Sequence, residues 1–150
     1  MSMLELETFK TVVASTPLVS LDLIVRNTER KVLLGLRTNR PAKGFWFVPG
    51  GRIRKDESFA AAFGRLTEGE LGVRLALTDA RFLGPYQHFY SDNFSGETFS
   101  THYVVLGYEV ELTLDSTSLP QEQHHDYRWF SVVELLASDQ VHQHTKDYFL

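Results

Sequence analysis

Glu70 raises the first chemical question in this sequence. Phe63, Leu66 and Glu70 fall on nearly one helical stripe, since seven residues return a helix to within about 20° of its starting direction. A carboxylate in line with an apolar face stays charged and buried only with a partner. A metal ion or an arginine would supply one; alternatively the apolar stripe ends before Glu70 and the side chain reaches solvent. A second carboxylate, Asp22, stands in the middle of the apolar run Leu18 to Val25. Cationic side chains are concentrated: Arg37, Arg40, Lys43, Arg52, Arg54, Lys55 and Arg65 stand against only Asp56 and Glu57 in the same segment. Between Arg81 and Arg128 there is no Lys or Arg, but seven acids and four of the six histidines, His88 and His124 among them.

The elements that must position these residues follow from periodicity and punctuation. Leu6, Phe9, Val12 and Val13 recur at helical spacing, which predicts a short amphipathic helix over about residues 4–14, stopped by Thr16-Pro17. Leu18 to Val25 is apolar on both faces, as a buried strand is. Asn27 to Arg30 form a turn, and Lys31 to Arg37 the returning strand of a hairpin. After the loop Thr38 to Gly44 comes the aromatic strand Phe45 to Val48, which Pro49-Gly50-Gly51 breaks. A helix is predicted from about Ser58 to Leu71, with Asp56 and Glu57 complementing its N-terminal dipole and Gly72 ending it. Strands follow at Arg81–Tyr90, Phe99–Leu112 and Tyr127–Phe130, the last preceded by a loop from Asp115 to His125. Ser131 and Glu134 form a capping-box pair, and Asp139–Leu150 reads as one more helix. A mixed sheet with helices packed against it, an α/β (α+β) architecture, is the economical arrangement.

Composition narrows the chemistry. The 150 residues suit one domain, 1–150, large enough to bury a core without staples. Zero cysteines exclude disulfides, thiolate catalysis and cysteine-based metal sites, and fit a cytoplasmic chain. No apolar run approaches the roughly 18 residues of a membrane span, and no signal-peptide pattern opens the chain. A net charge of −4 argues against wholesale attraction to nucleic acid.

The pattern around Glu70 is wider than a stripe. Gly51, five residues, Glu57, seven residues, then Arg65-Leu66-Thr67-Glu68-Gly69-Glu70-Leu71-Gly72-Val73 resembles the Nudix box. That resemblance implies the Nudix fold, a mixed β-sheet sandwiched between α-helices, with a divalent metal held against the diphosphate of a nucleoside diphosphate derivative. Two departures stand out: Leu66 and Gly69 occupy positions where the usual box has glutamates. Fewer anionic ligands argue for one metal ion. Gly64 and Gly69 each cost the helix about 1 kcal/mol relative to alanine.

Nearly the whole chain is similar to the GDP-mannose mannosyl hydrolases, a Nudix branch with the same reduced box. The likeness rests on Ser15 to Asp22, Arg37 to Pro41, Phe47 to Arg52, Gln87 to Tyr90, Asp92 to Gly96, Thr101 to Gly107, Gln123-His124 and Asp126 to Trp129. It implies hydrolysis of GDP-mannose, with GDP-glucose as a related substrate, by water attack at the anomeric carbon with inversion. By that resemblance the Gly50 carbonyl, Glu70 and Gln123 hold one Mg²⁺ per subunit, with Mn²⁺ as a substitute. Arg37, Arg52, Arg65 and Tyr103 hold the departing diphosphate, His124 is the general base, and Asp22 and His88 face the sugar. Met3, Leu4 and Phe9 lie in the segment that contacts guanine in the family, and the assembly is a homodimer.

Elementary chemistry suits these roles. Sugar–oxygen cleavage develops positive charge on the ring and negative charge on the diphosphate. Arginines and a metal stabilise the second charge, a carboxylate such as Asp22 the first. A histidine near its ordinary pKa of about 6.5 suits deprotonation of water. Taken singly, Arg37, Arg52 and Arg65 read as surface charges, Asp22 as a paired core carboxylate, His88 as structural and Tyr103 as packing. Gln123 and His124 sit in a loop, where function is more common. Two other readings compete: a conventional pyrophosphohydrolase attacking phosphorus, and a nucleotide-sugar sensor without catalysis.

Overall fold

The fold was obtained as a computed structural model, which describes residues 4–112 and 124–150, with the side chains of His124 and His125 left out. Met3 and Gln123 lie outside the described residues. Helix α1 spans Leu6–Ser15, and strands β1 and β2 span Leu18–Arg26 and Val32–Arg37. Strands β3 and β4 are short, Trp46–Phe47 and Gly50–Arg52. Helix α2 covers Phe59–Leu71, after which β5 (Arg81–Tyr90), β6 (Thr101–Glu111) and β7 (His124–Phe130) complete the strands. Helices α3 (Val132–Ala137) and α4 (Gln143–Lys146) lead into a 3₁₀ turn at Asp147–Phe149.

Strand β1 organises one seven-stranded sheet in the order β3-β2-β1-β6-β5, with β4 pairing to β1 and β7 to β2. Its pairing with β6 is parallel over nine residues, Leu18↔Tyr103 to Arg26↔Glu111, and the other ladders among the described residues are antiparallel. The double-sided apolar pattern of this strand is explained by what lies on each face. Leu21, Leu23 and Val25 pack with Ala62, Phe63, Leu66 and Leu71 of α2 in one core. Ile24 points the other way, into a second core with Val48, Leu135 and Val141 that Tyr148 and Phe149 border. Burial of these side chains on both sides is the largest stabilising contribution to the sheet. Asp22 shares the face of Ile24, because side chains alternate along a strand.

Helix α2 begins at Ser58, whose Oγ accepts from the Ala61 N–H at 3.1 Å. Its last turn closes on Gly72, at φ 78°, where a left-handed backbone ends a helix at no steric cost. Of the two acids before it, Glu57 does more than complement the helix dipole. Glu57 is no free charge at the helix N-terminus; it accepts from Arg65 Nε at 2.8 Å and from the Arg54 N–H at 3.0 Å.

Three further features correct the sequence reading. Pro49-Gly50-Gly51 ends β3 but does not end pairing, because β4 docks onto β1 with Asp22 opposite Gly50. A Cβ at Gly50 would collide with the Leu21 carbonyl and stand 2.8 Å from Asp22 Oδ1, so only glycine allows this approach. Strand β7 starts at His124, placing that residue in a strand opposite Arg37 and not in a loop. The expected helix over Asp139–Leu150 is broken. Trp46 N–H donates to the Gln140 carbonyl and His142 N–H to the Trp46 carbonyl, which holds residues 140–142 extended against β3. His142 Nδ1 then accepts from the His144 N–H at 3.1 Å and opens the short α4.

Candidate active site

The β1, β2, β4, β5 and β6 strands together enclose a cavity of about 210 Å³. Asp22, Arg37, Gly50, Arg52, His88 and Tyr103 all line it, joined by Ser20, Phe47 and Tyr90. Register explains the convergence. Asp22 lies opposite Gly50 across β1 and β4, while His88 lies opposite Tyr103 across β5 and β6. His88 and Tyr90 sit two apart on β5 and so share a face.

Each polar group has its own environment. Burial pushes the Asp22 carboxyl up to about 7, although the Tyr148 hydroxyl, donating at 2.6 Å, and the nearby Arg37 both favour the charged form. His88 is only 4% exposed. Burial, with the neighbouring His144 and His142, lowers its pKa to about 3, so it is a neutral imidazole at working pH. Its ring lies parallel to His144 at 4.3 Å, and among the described residues its Nε2 finds no hydrogen-bond partner. Burial raises the Tyr103 hydroxyl above its ordinary value, while Arg37 and Arg52 pull it back. Tyr103 therefore remains a protonated donor beside two guanidinium groups. Arg37 is anchored through Nε to the Pro41 carbonyl at 3.0 Å, and the Arg52 guanidinium lies 4.8 Å from the centre of the Phe9 ring.

Other sequence-derived candidates stand elsewhere. Arg65 lies outside this cavity, in a neighbouring recess with Leu4, Phe9 and Arg52. It is committed to Glu57 through two nitrogens and donates to the Arg52 carbonyl at 2.8 Å. Its effect on Arg52 is thus through the backbone. Leu4 lines that recess, and Phe9 borders both it and a larger recess containing Arg37, Phe94 and Tyr103. Glu70 is 5% exposed in the core beneath α2, which answers the first question: the carboxylate does not reach bulk solvent. The Tyr127 hydroxyl donates to the Glu70 backbone carbonyl at 3.5 Å, and that hydroxyl's pKa is raised by burial and by the Glu70 charge.

Among the described residues no three His, Asp, Glu or Cys side chains gather as a metal cluster. What is present is a single buried carboxylate on α2 and the backbone of the Gly50–Arg52 strand packed under that helix, where a Cβ on Gly51 would stand 2.5 Å from Leu66 Cδ2. Hard oxygen donors of this kind fit one small divalent cation and not a multinuclear centre. Sequence reasoning missed Tyr90 and Tyr148. Tyr90 was detectable from its two-residue spacing to His88; Tyr148 carried no such signal.

A mixed sheet between helices, with a basic and acidic cavity at the β1/β4 crossing, defines an α+β domain with a ligand-sized cavity. The NUDIX domain family matches residues 16–149, and the chain belongs to that family. It is 41% identical over 117 residues to the low-salt glycan biosynthesis protein Agl8 of Haloferax volcanii, covering 78% of this chain and 72% of the relative. The fold is similar to the MutT protein of Methanosarcina mazei Go1, with a TM-score of 0.71, 19% identity and coverage of 90% and 92% of the two chains. It is also similar to the NUDIX domain of Shewanella oneidensis NrtR, solved with ADP ribose, at a TM-score of 0.64, 20% identity and coverage of 98% and 97%. None of the helices among the described residues is long and apolar enough to cross a membrane.

Proposed function

We propose that this Nudix hydrolase cleaves the sugar–oxygen bond of a GDP-sugar, with GDP-mannose as the reference substrate, as one 1–150 domain acting in a cytoplasmic homodimer. The observation that carries the reading is the composition of one cavity: Arg37, Arg52 and Tyr103 as anion-holding groups beside Asp22 and His88. A conventional phosphorus-attacking site relies on clustered box carboxylates, and here Leu66 is core and Gly69 has no side chain. The 41% identity to a glycan biosynthesis protein supports a nucleotide-sugar role.

In this mechanism Arg37 and Arg52 bind the diphosphate and Tyr103 donates to it. These donors are fixed before the reaction, by the Pro41 carbonyl for Arg37 and by the Phe9 ring for Arg52. Asp22 faces the developing oxocarbenium charge, and neutral His88 orients a sugar hydroxyl. His124, whose backbone pairs with Arg37, takes the proton of the attacking water. The water oxygen bonds to the anomeric carbon from the side opposite the diphosphate. The carbon–oxygen bond breaks, and its electron pair leaves with GDP. Gly50, Glu70 and Gln123 are the groups that would hold Mg²⁺ or Mn²⁺, which when bound supplies counter-charge to the diphosphate.

Turnover of GDP-mannose with Mg²⁺ in oxygen-18 water tests the proposal. Label in mannose is the expected result. Label in a phosphate-bearing product would transfer the assignment to phosphorus attack, and tight binding without turnover would make the chain a sensor.

A further inference from the structure

We propose that Tyr148 is a positioning residue that sets the orientation of the Asp22 carboxylate. The inference rests on the GDP-sugar reading for its catalytic consequence, but its geometric part stands on its own. Tyr148 is not among the residues lining the cavity; it stands behind Asp22 and donates to Oδ2 at 2.6 Å. The other carboxylate oxygen is turned toward β4, since Oδ1 lies 2.8 Å from where a Gly50 Cβ would stand. One oxygen is thus fixed by the tyrosine, which leaves the other aimed at the strand that closes the cavity.

The ring that carries this hydroxyl is itself held on several sides. It meets the Tyr86 ring edge-on at 4.4 Å and lies 6.2 Å from His88. Beneath it, Gly107 leaves the space: a Cβ there would stand 3.0 Å from Tyr148 Cε1. Tyr148 belongs to the 3₁₀ turn after α4, and that segment also supplies the His144 ring stacked on His88. The C-terminal segment therefore forms a wall behind two cavity residues on different strands. A buried carboxylate with a fixed donor on one oxygen retains a single orientation, and a charge-assisted hydrogen bond of this length is among the stronger ones in proteins. Without it, the Asp22 carboxylate would be free to rotate.

The experiment is Tyr148→Phe in the full chain, which removes the hydroxyl and keeps the ring. On GDP-mannose, kcat should fall about tenfold or more, while the dissociation constant for GDP stays within about twofold, because Tyr148 touches no nucleotide-binding group. In an Asp22→Asn background, adding Tyr148→Phe should change kcat far less than in wild type. An unchanged kcat, or equal losses in kcat and GDP affinity, would overturn the proposal. Gly107→Ala, which retains the hydroxyl but presses on the ring, should give a smaller loss of the same kind. A readout independent of turnover is the carbon-13 carboxyl resonance of Asp22, assigned through Asp22→Asn. It should move in Tyr148→Phe and hold still in Tyr86→Phe; movement in neither would remove the hydrogen bond. If the wild-type chain leaves GDP-sugars intact, the proposed function fails, and the resonance alone decides whether Tyr148 sets Asp22.

Discussion

The two faces of β1 treat their charges in opposite ways. On the α2 face, Glu57 is 7% exposed and saturated by Arg65 and Arg54, and its pKa falls to about 2, chiefly through its hydrogen bond to Arg65. On the other face, Asp22 is pushed up toward neutrality and His88 down, each chiefly by burial. The box side thus gains stability from its charges, whereas the cavity side gives some up. Perturbed groups that cost stability and share a cavity are where chemistry is expected. On the proposed reading the box helix supplies Glu70 to the metal, and the strands opposite it carry the other reactive groups.

The largest effect should come from the general base. On the proposed reading, His124→Gln lowers kcat by about 10² to 10⁴-fold with substrate affinity nearly unchanged. Steady-state kinetics and calorimetric titration of GDP-mannose check it. A near-normal kcat would remove His124 as the base and weaken the assignment of chemistry to the strand side.

The box side can be challenged by restoring the carboxylate it lacks. Leu66 is 6% exposed in the α2 core, so Leu66→Glu should destabilise the chain by about 3 kcal/mol, read by thermal or urea unfolding. It should add no phosphorus attack in oxygen-18 water. A Leu66→Glu chain with undiminished stability and label in phosphate would reverse the comparison, making the reduced box a dormant catalytic site.

These two regions were not equally legible in the sequence. The α2 region was readable because local rules govern it: apolar spacing at Phe63 and Leu66, a start near Ser58 and a glycine stop at Gly72. Strand β5 appeared at its full extent, Arg81–Tyr90. The cavity depends on register between distant strands. Pro49-Gly50-Gly51 looks like a stop, and only the crossing with β1 shows that the glycines permit pairing. The expected C-terminal helix was lost because Trp46 captures residues 140 and 142 by backbone bonds across the fold. Tyr148 and Asp22 are 126 residues apart, and no local pattern links them. The sequence named candidate residues, but it did not show which backed which.

The smallest effect reads the cost on the cavity side directly. The Asp22 carboxyl titrates near 3.8 in an unfolded chain and about 7 in the folded one. Between those values the unfolded chain is ionised while the folded chain keeps its proton. Stability therefore falls as pH rises through this window, and the deficit persists above it. Asp22→Asn mimics the protonated form and can still accept from Tyr148. It should leave stability nearly unchanged at pH 4 and raise it at pH 8, while lowering kcat. Urea unfolding of both chains in the presence of a chelator measures this difference. His88 has the opposite sign: its pKa falls from 6.5 to about 3, so stability is lost as pH drops below 6.5. That loss is common to both chains and cancels on subtraction. A difference that grows toward acid, or one that is flat with pH, would mean that Asp22 is ionised and compensated in the fold, as Glu57 is, and the contrast between the two faces would disappear.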